Sequence, residues 1–244
     1  MGKELLTIRE AAEFLGVSFD TLRRWDKSGK LVATRKEGGT HRYYAKEDLE
    51  VFSSDLLKQA KNWAFSGGDI APELHCSNSA TFQARLLGMQ DILIASGKAD
   101  RIFSLIVSIA GEIGNNSYDH NLGNWPDSPG VFFGYDIPKG IIVLADRGLG
   151  ILKTLRRVKP SLGNHEDALF VAFTETISGR APEDRGNGLK FVRKVISENP
   201  IDLFFQSGDA ELRMKGNNAD LRIKKSKVAI PGCLASITFF KYIV

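Results

Sequence analysis

A chain of 244 residues with 43% hydrophobic and 25% charged side chains has room for one large domain or two modest ones, and it can bury a core without cross-links. Its two cysteines, Cys76 and Cys233, lie far apart, belong to no metal-like pair and imply no disulfide framework, which fits a reducing compartment. The net charge of +4 is too small to name a partner, no secretory signal opens the chain, and the longest apolar stretch, Ile102 to Ile113, is broken by Ser104, Ser108 and Glu112. These features predict a soluble, cytoplasmic protein with no membrane span.

Taken in chain order, Thr7 reads as a helix N-cap, with Glu10 three residues on completing a capping box; the helix runs to about Leu15 and Gly16 stops it. Ser18 caps a second helix that ends near Ser28-Gly29. Two short helices joined by a tight turn containing glycine form a helix-turn-helix signature. Leu31 to Thr34 and Arg42 to Tyr44 flank Gly38-Gly39 and read as a hairpin, and a short helix from Lys46 to about Phe52 closes the unit. Between Arg23 and Lys46 eight basic residues face two acids, the concentration of charge a phosphate-facing surface needs. Arg23, Arg24 and Lys27 on the second helix, and Arg35, Lys36 and Arg42 on the hairpin, are candidate contacts to duplex DNA. Trp25 reads as core, while Tyr43 reads equally as core or as a phosphate contact.

Residues 54–69 read as a connector whose helical character fades at Ser66-Gly67-Gly68. A larger α/β pattern follows. Ser79 caps a helix carrying Phe82, Leu86, Met89 and Leu93 at helical spacing, and Arg101 to Tyr118 is a second helix. Val131–Tyr135 and Ile141–Ala145 read as strands. Residues 152–185 are a long mixed stretch with a helix near Ala168, and Gly188–Glu198 is a helix. Ile201–Phe205, a weaker run around Leu212, and Ala235–Tyr242 read as further strands.

Three motifs in this half carry chemistry. Glu112 and Asn116, four residues apart, share a helix face: a carboxylate can polarise a water, and an amide oxygen can ligate a divalent cation that bridges phosphates. Asp146-Arg147-Gly148-Leu149-Gly150 directly follows a strand, where the carboxylate can accept from an amino group and the glycines let the backbone turn. Arg185-Gly186-Asn187-Gly188 opens a helix whose N-terminal amides favour an anion. Each alone is a common turn or helix end; their order along the chain is the informative feature. No G-x-x-x-x-G-K-[ST] run is present, which excludes a P-loop.

Leu22-Arg23-Arg24-Trp25, with Gly29, Leu31, Arg35 and Gly39-Thr40-His41-Arg42-Tyr43, resembles the winged helix-turn-helix of the MerR/excisionase superfamily over residues 5–53. The resemblance implies that the second helix enters the major groove and the wing touches the backbone, with Arg23, Arg24, Arg35, His41 and Arg42 as contacts. MerR regulators carry a long coiled-coil helix after the wing, whereas only a short connector follows here, so the oligomeric state stays open. The three motifs together resemble the GHKL ATPases over about residues 80–243, closest to the anti-sigma-factor serine kinase form with Glu112, Asn116 and the later His120. That resemblance implies ATP and Mg²⁺ as cofactors. It assigns Glu112 as general base, Asn116 as Mg²⁺ ligand, Asp146 as adenine reader, and Gly148, Gly150, Gly186 and Gly188 as nucleotide loops. It also makes residues 151–186 the ATP lid and sets Thr238, on the closing strand, near the base. Ser117 in place of the usual alanine and Asp119 in place of a basic residue depart from the pattern.

The expected fold is α+β: a winged helix-turn-helix over residues 1–53, a connector over 54–69, and a two-layer α/β sandwich of the GHKL (Bergerat) type over 70–244. The expected function is a DNA-binding regulator gated by ATP. Two alternatives stay open: an anti-sigma-type serine kinase acting on a STAS-like partner, and an inactive interaction module. His75 reads as a structural or surface histidine, His165 as exposed rather than catalytic, and Arg222, Lys224, Lys225 and Lys227 as a solvated strand or loop, with an extension of the DNA surface as the alternative.

Overall fold

A computed structural model describes residues 4–15, 18–28, 31–35, 39–46, 48–49, 56–95, 101–176 and 188–239. The chain opens with strand β1 (Leu5–Thr7) and helix α1 (Ile8–Leu15). The capping box forms as the sequence predicts. The Glu10 carboxylate accepts from the Thr7 amide at 2.7 Å, and the Glu10 amide donates to the Thr7 hydroxyl at 3.3 Å. Ser18 caps α2 (Phe19–Ser28) by accepting from the Thr21 amide at 3.2 Å. Thr34 and Tyr43 exchange backbone hydrogen bonds at 2.7 and 2.9 Å and form the base of the wing. Strand β2 (Tyr43–Ala45) then pairs antiparallel with β1, Leu6 opposite Tyr44. Three residues are too few to show a strand period, so β1 has no signature of its own in the sequence. Trp25 is buried as core, Tyr43 is half-buried, and Tyr44 is fully enclosed with its hydroxyl donating to the Leu22 carbonyl at 3.2 Å.

The remainder is built on a five-stranded antiparallel sheet. Its strands are β3 (His75–Cys76), β4 (Val131–Asp136), β5 (Ile141–Asp146), β6 (Asp202–Met214) and β7 (Arg222–Thr238), in spatial order β3-β4-β5-β7-β6. Side chains alternate between the faces. Phe133, Ile142, Leu144, Leu203, Phe205, Ala235 and Ile237 point to one buried cluster. Phe132, Val143, Ala145, Phe204, Ile230 and Leu234 point to another. The first face is covered by α4 (Ser79–Ala95), α5 (Arg101–Asn121), α7 (His165–Thr174) and α8 (Gly188–Glu198), with Phe82, Met89, Ile106, Ile109, Phe173 and Val192 buried against it. Gly114 lets α5 cross α4 closely, since a Cβ there would meet the Phe82 ring at 2.1 Å.

The second face is covered by α3 (Leu56–Ser66), through Ala60, Trp63 and Ala64, in a cluster continuous with Ala11, Leu22, Trp25, Tyr44 and Leu49 of the helix-turn-helix unit. Two layers are expected; the sheet instead carries a third, made of the connector helix and the N-terminal unit. Strand β7 also begins thirteen residues earlier than the Ala235 start read from sequence, and the basic run lies on it. Lys224 pairs with Glu211 at 2.8 Å and Lys225 with Asp209 at 3.3 Å across the β6–β7 ladder. The exposed lysines hide the strand from any hydrophobic-period reading. Among the described residues no helix is long and apolar enough to cross a membrane.

Burial of Trp63 at 4% exposure makes it the main side chain closing the second face. Trp63→Ala should lower the free energy of unfolding in urea by about 3–5 kcal/mol, the usual cost of deleting a buried aromatic ring. A loss under about 1 kcal/mol would contradict a closed second face.

Candidate functional site

The helix-turn-helix unit concentrates its cations around one acid. The Asp26 side chain, 5% exposed, accepts from the Ala33 amide at 2.9 Å, from Arg35 at 2.6 Å and from Arg42 at 2.7 Å. Burial works to raise its pKa, but the Ala33 amide and the two guanidinium groups outweigh burial and hold the carboxyl below the ordinary aspartate range. Asp26 therefore braces the wing against α2 and fixes where Arg35 and Arg42 present their remaining donors. Arg23, Arg24, Lys27, Val32, Arg35 and Arg42 line one open depression of about 590 Å³. His41 is exposed on the wing outside that lining. Val32, 64% exposed among the arginines, is an apolar contact surface that charge counting does not find. Arg23 pairs with Asp20 at 2.9 Å on its own helix, whereas Arg24 pairs at 2.8 Å with Glu73, well outside the unit. Lys36 lies outside the described residues.

The second site lies at the end of the sheet where β5 terminates in Asp146. One stripe of α5, comprising Ile113, Asn116, Ser117, His120 and Asn121, faces it, together with Gly150, Ile151 and Thr154 of α6 (Gly150–Leu155), Leu189 of α8, Phe205 of β6 and Cys233 of β7. These residues line a narrow cavity of about 30 Å³ that is open to solvent on one side. Asp146 forms its floor, 2% exposed. Its carboxylate accepts from the Ser117 hydroxyl at 2.7 Å and from the Gly148 amide at 2.8 Å. Burial raises its pKa above the ordinary aspartate value, against the pull of Ser117 and the Gly148 and Cys233 amides. Gly232 has φ of +69°, and a Cβ there would lie 2.3 Å from the Asp146 carbonyl oxygen, so only glycine fits beside this acid. Asn121 holds the glycine loop in place, accepting from the Leu149 amide and donating to the Ser117 carbonyl, both at 2.7 Å.

Glu112 and Asn116 lie on the same face of α5, half-buried, next to the start of α8: a Cβ on Gly188 would come within 2.6 Å of a Glu112 carboxylate oxygen and 3.3 Å of the Asn116 amide. Glu112, Asn116, Asp146, Gly148, Gly150 and Gly188 thus gather at one end of the sheet. Gly186 lies outside the described residues. Thr238 does not belong to this group. In the β5–β7 ladder it sits opposite Ile141, at the far end of the strand from Asp146, roughly 16 Å away at about 3.3 Å per residue. The β7 residues that reach Asp146 are Gly232 and Cys233, because β7 is longer than its sequence pattern shows. The stretch expected to form a lid also divides. Residues 150–174 hold α6 and α7, packed together through Leu152, Leu155, Leu162, Ala168 and Val171, whereas residues 177–187 lie outside the described ones.

Two groups in the site carry a signal that spacing alone does not supply. The Nδ1 atom of His120 is buried with no hydrogen-bond partner, and burial together with nearby Arg157 holds the ring below the ordinary histidine range. Arg147 turns away from the cavity. It donates to the carbonyls of Trp63 and Ala64 at 2.9 and 2.8 Å, at the C-terminal turn of α3, and pairs with Asp127. His75 binds the Pro129 carbonyl at 3.0 Å and is structural, while His165 is half-buried and paired with Asp209 at 2.6 Å rather than exposed. Among the described residues no three His, Cys, Asp or Glu side chains cluster as a metal site.

Comparison with known proteins agrees with the helix-turn-helix unit. A family described as a helix-turn-helix domain matches residues 5–52. The chain is 43% identical over 63 residues to the type II methyltransferase M.Eco47II of Escherichia coli, a stretch covering 26% of this chain and 15% of that protein. It is 36% identical over 88 residues to the transcriptional repressor DcmR of Methylorubrum extorquens, covering 30% of this chain and 33% of that protein. The matched stretches thus span a third or less of either relative. The molecule is a mixed α+β protein with an antiparallel sheet and an N-terminal helix-turn-helix domain.

The depressed pKa of Asp26 sets a pH dependence. Its ionised form stabilises the wing above the unfolded aspartate pKa of about 3.9, and that contribution is lost as pH falls through the lower folded value. Asp26→Asn should therefore be less stable than wild type at pH 7, with the difference closing in strong acid. Parallel melting curves for the two proteins from pH 7 to pH 2 would contradict the brace.

Proposed function

We propose that the chain is a DNA-binding regulator whose helix-turn-helix is gated by nucleotide held in the Asp146 cavity, and that the C-terminal half is an ATP-binding domain of the GHKL type. The carrying observation is the convergence of Glu112, Asn116, Asp146 and Gly188 on one end of the sheet, with Arg147 tying the same loop to the helix that joins the N-terminal unit. The chemistry of the lining suits such a ligand, in a cavity that must widen to admit it. Asp146 is an acceptor at the cavity floor for an adenine amino group. Gly188 lets the start of α8 approach Glu112 and Asn116 closely, where α8's N-terminal amides could meet a phosphate, and His120, with its unpartnered nitrogen, also lines the cavity. Asn116 would hold Mg²⁺ through its amide oxygen, and Glu112 would orient or deprotonate the nucleophile. ATP would supply the phosphoryl group whose presence distinguishes two states of the domain.

On the DNA side, Arg23, Arg24, Lys27, Arg35 and Arg42 form the cationic face, and Val32 is placed for a thymine methyl. The resemblance of part of the chain to a transcriptional repressor supports regulation as the outcome. Lys27→Ala should weaken binding to duplexes of any sequence, and the slope of log affinity against log salt should fall by about one. An unchanged slope would remove Lys27 from the phosphate-facing surface.

Calorimetry tests the cavity. Asp146→Ala should abolish ATP binding while the domain stays folded. Glu112→Ala should bind ATP normally but turn it over roughly 100-fold or more slowly. Wild-type ATP affinity in the Asp146 variant would overturn the nucleotide assignment. Label from ATP appearing on an exposed serine of a STAS-like protein would favour the serine kinase instead.

A further inference from the structure

The recognition helix does not face solvent freely. Thr21 and Arg24 stand three residues apart, on one face of α2, and both reach Glu73. The Arg24 guanidinium binds both carboxylate oxygens, at 2.8 and 3.1 Å, and the Thr21 hydroxyl, which pairs with Ser18 at 2.9 Å, lies near enough to help stabilise the carboxylate. Burial tends to raise the Glu73 pKa, but these partners outweigh it and keep the carboxyl ionised, below its ordinary range. Glu73 is firmly mounted. It lies in the turn before edge strand β3, where the Leu74 amide bonds the Ala71 carbonyl at 2.8 Å, the Phe133 amide bonds the Leu74 carbonyl at 2.7 Å, and Arg85 holds the Pro72 carbonyl at 2.6 Å.

The other acids paired with the DNA-facing arginines belong to the helix-turn-helix unit itself. Asp20 and Asp26 lie on α2 and travel with it onto any duplex. Glu73 lies 49 residues further along the chain, on the sheet domain. A phosphate or a guanine edge that takes Arg24 must displace this carboxylate, and a duplex seated on the Thr21–Arg24 face must clear the 71–74 turn.

We infer that Glu73 is an autoinhibitory latch: it neutralises Arg24 and holds the recognition helix against the sheet domain, so that DNA binding requires the contact to open. The inference rests on the DNA-binding reading of α2. Its effect is a competition between two conformations, and weakening the closed one raises apparent DNA affinity by the fraction it releases.

The test is a double-mutant cycle on the full chain, using a mixed-sequence duplex of about 30 base pairs at low salt. Glu73→Gln keeps the size of the side chain and an acceptor oxygen and removes the charge that binds Arg24. It should tighten duplex binding about two- to fivefold, the scale of a partly exposed ion pair. Arg24→Ala should weaken binding. In the Arg24→Ala background the Glu73→Gln gain should disappear. Glu73→Ser should reproduce the gain of Glu73→Gln, which separates loss of the latch from any local misfolding of one variant. Unchanged or weaker binding by both Glu73 variants would overturn the latch. An equal gain with Arg24 absent would do the same, since it would show only general repulsion between Glu73 and DNA. Absence of salt-sensitive binding in every form would overturn the DNA reading and the latch with it, a pattern distinct from latch failure alone.

Discussion

Both faces of the central sheet are apolar, and the rest of the molecule follows from covering them. Phe133, Leu144, Phe205 and Ala235 on one side and Phe132, Val143, Phe204 and Leu234 on the other belong to the same strands, so neither face can be left to water. Four helices of the C-terminal half cover the first face. Among the described residues the second is covered by the connector helix α3 together with Ala71 and Leu74, and the Trp63 ring does not close it alone. The buried side chains of α1, α2 and the wing complete the cover. The helix-turn-helix is therefore part of a shared core, and a change in how α3 sits on the sheet is felt by both ends.

Arg147 makes that shared core relevant to the cavity. It follows Asp146 directly, yet its guanidinium reaches two carbonyls in the last turn of α3, those of Trp63, which also accepts from the Gly67 amide, and Ala64. Gly67 accommodates it, with the guanidinium carbon 3.3 Å from where a Cβ would stand. On the other side of Asp146, Gly232 and the Cys233 amide bring β7 to the same acid. A ligand that draws on the Asp146 carboxylate thus acts on a residue whose neighbour caps the connector helix, a short physical route between the two halves.

Much of the local structure was legible in the sequence, because its causes are local. Thr7 and Glu10 cap each other over three residues, Ser18 caps α2, and Trp25 falls on the inner face of its helix. The sequence order of Glu112, Asp146 and Gly188 anticipates their spatial grouping. The failures are all long-range. Thr238 was misplaced because antiparallel register depends on strand length, and the lysines of β7 conceal its first half; a shift in register moves every partner. The Arg24–Glu73 pair joins residues 49 apart, and no spacing rule reaches that far. The third layer was not legible either, because an apolar strand buried on two faces reads the same whatever covers it.

The central claim is that occupancy of the Asp146 cavity changes DNA binding through this shared core. It is tested most directly by titrating a duplex into the full chain without nucleotide, with ADP, and with ATP plus Mg²⁺. The account predicts three separable binding curves for wild type, and curves that no longer separate for Arg147→Ala, in which the loop is cut from α3 while Asp146 remains. Three superimposable curves for wild type would contradict it.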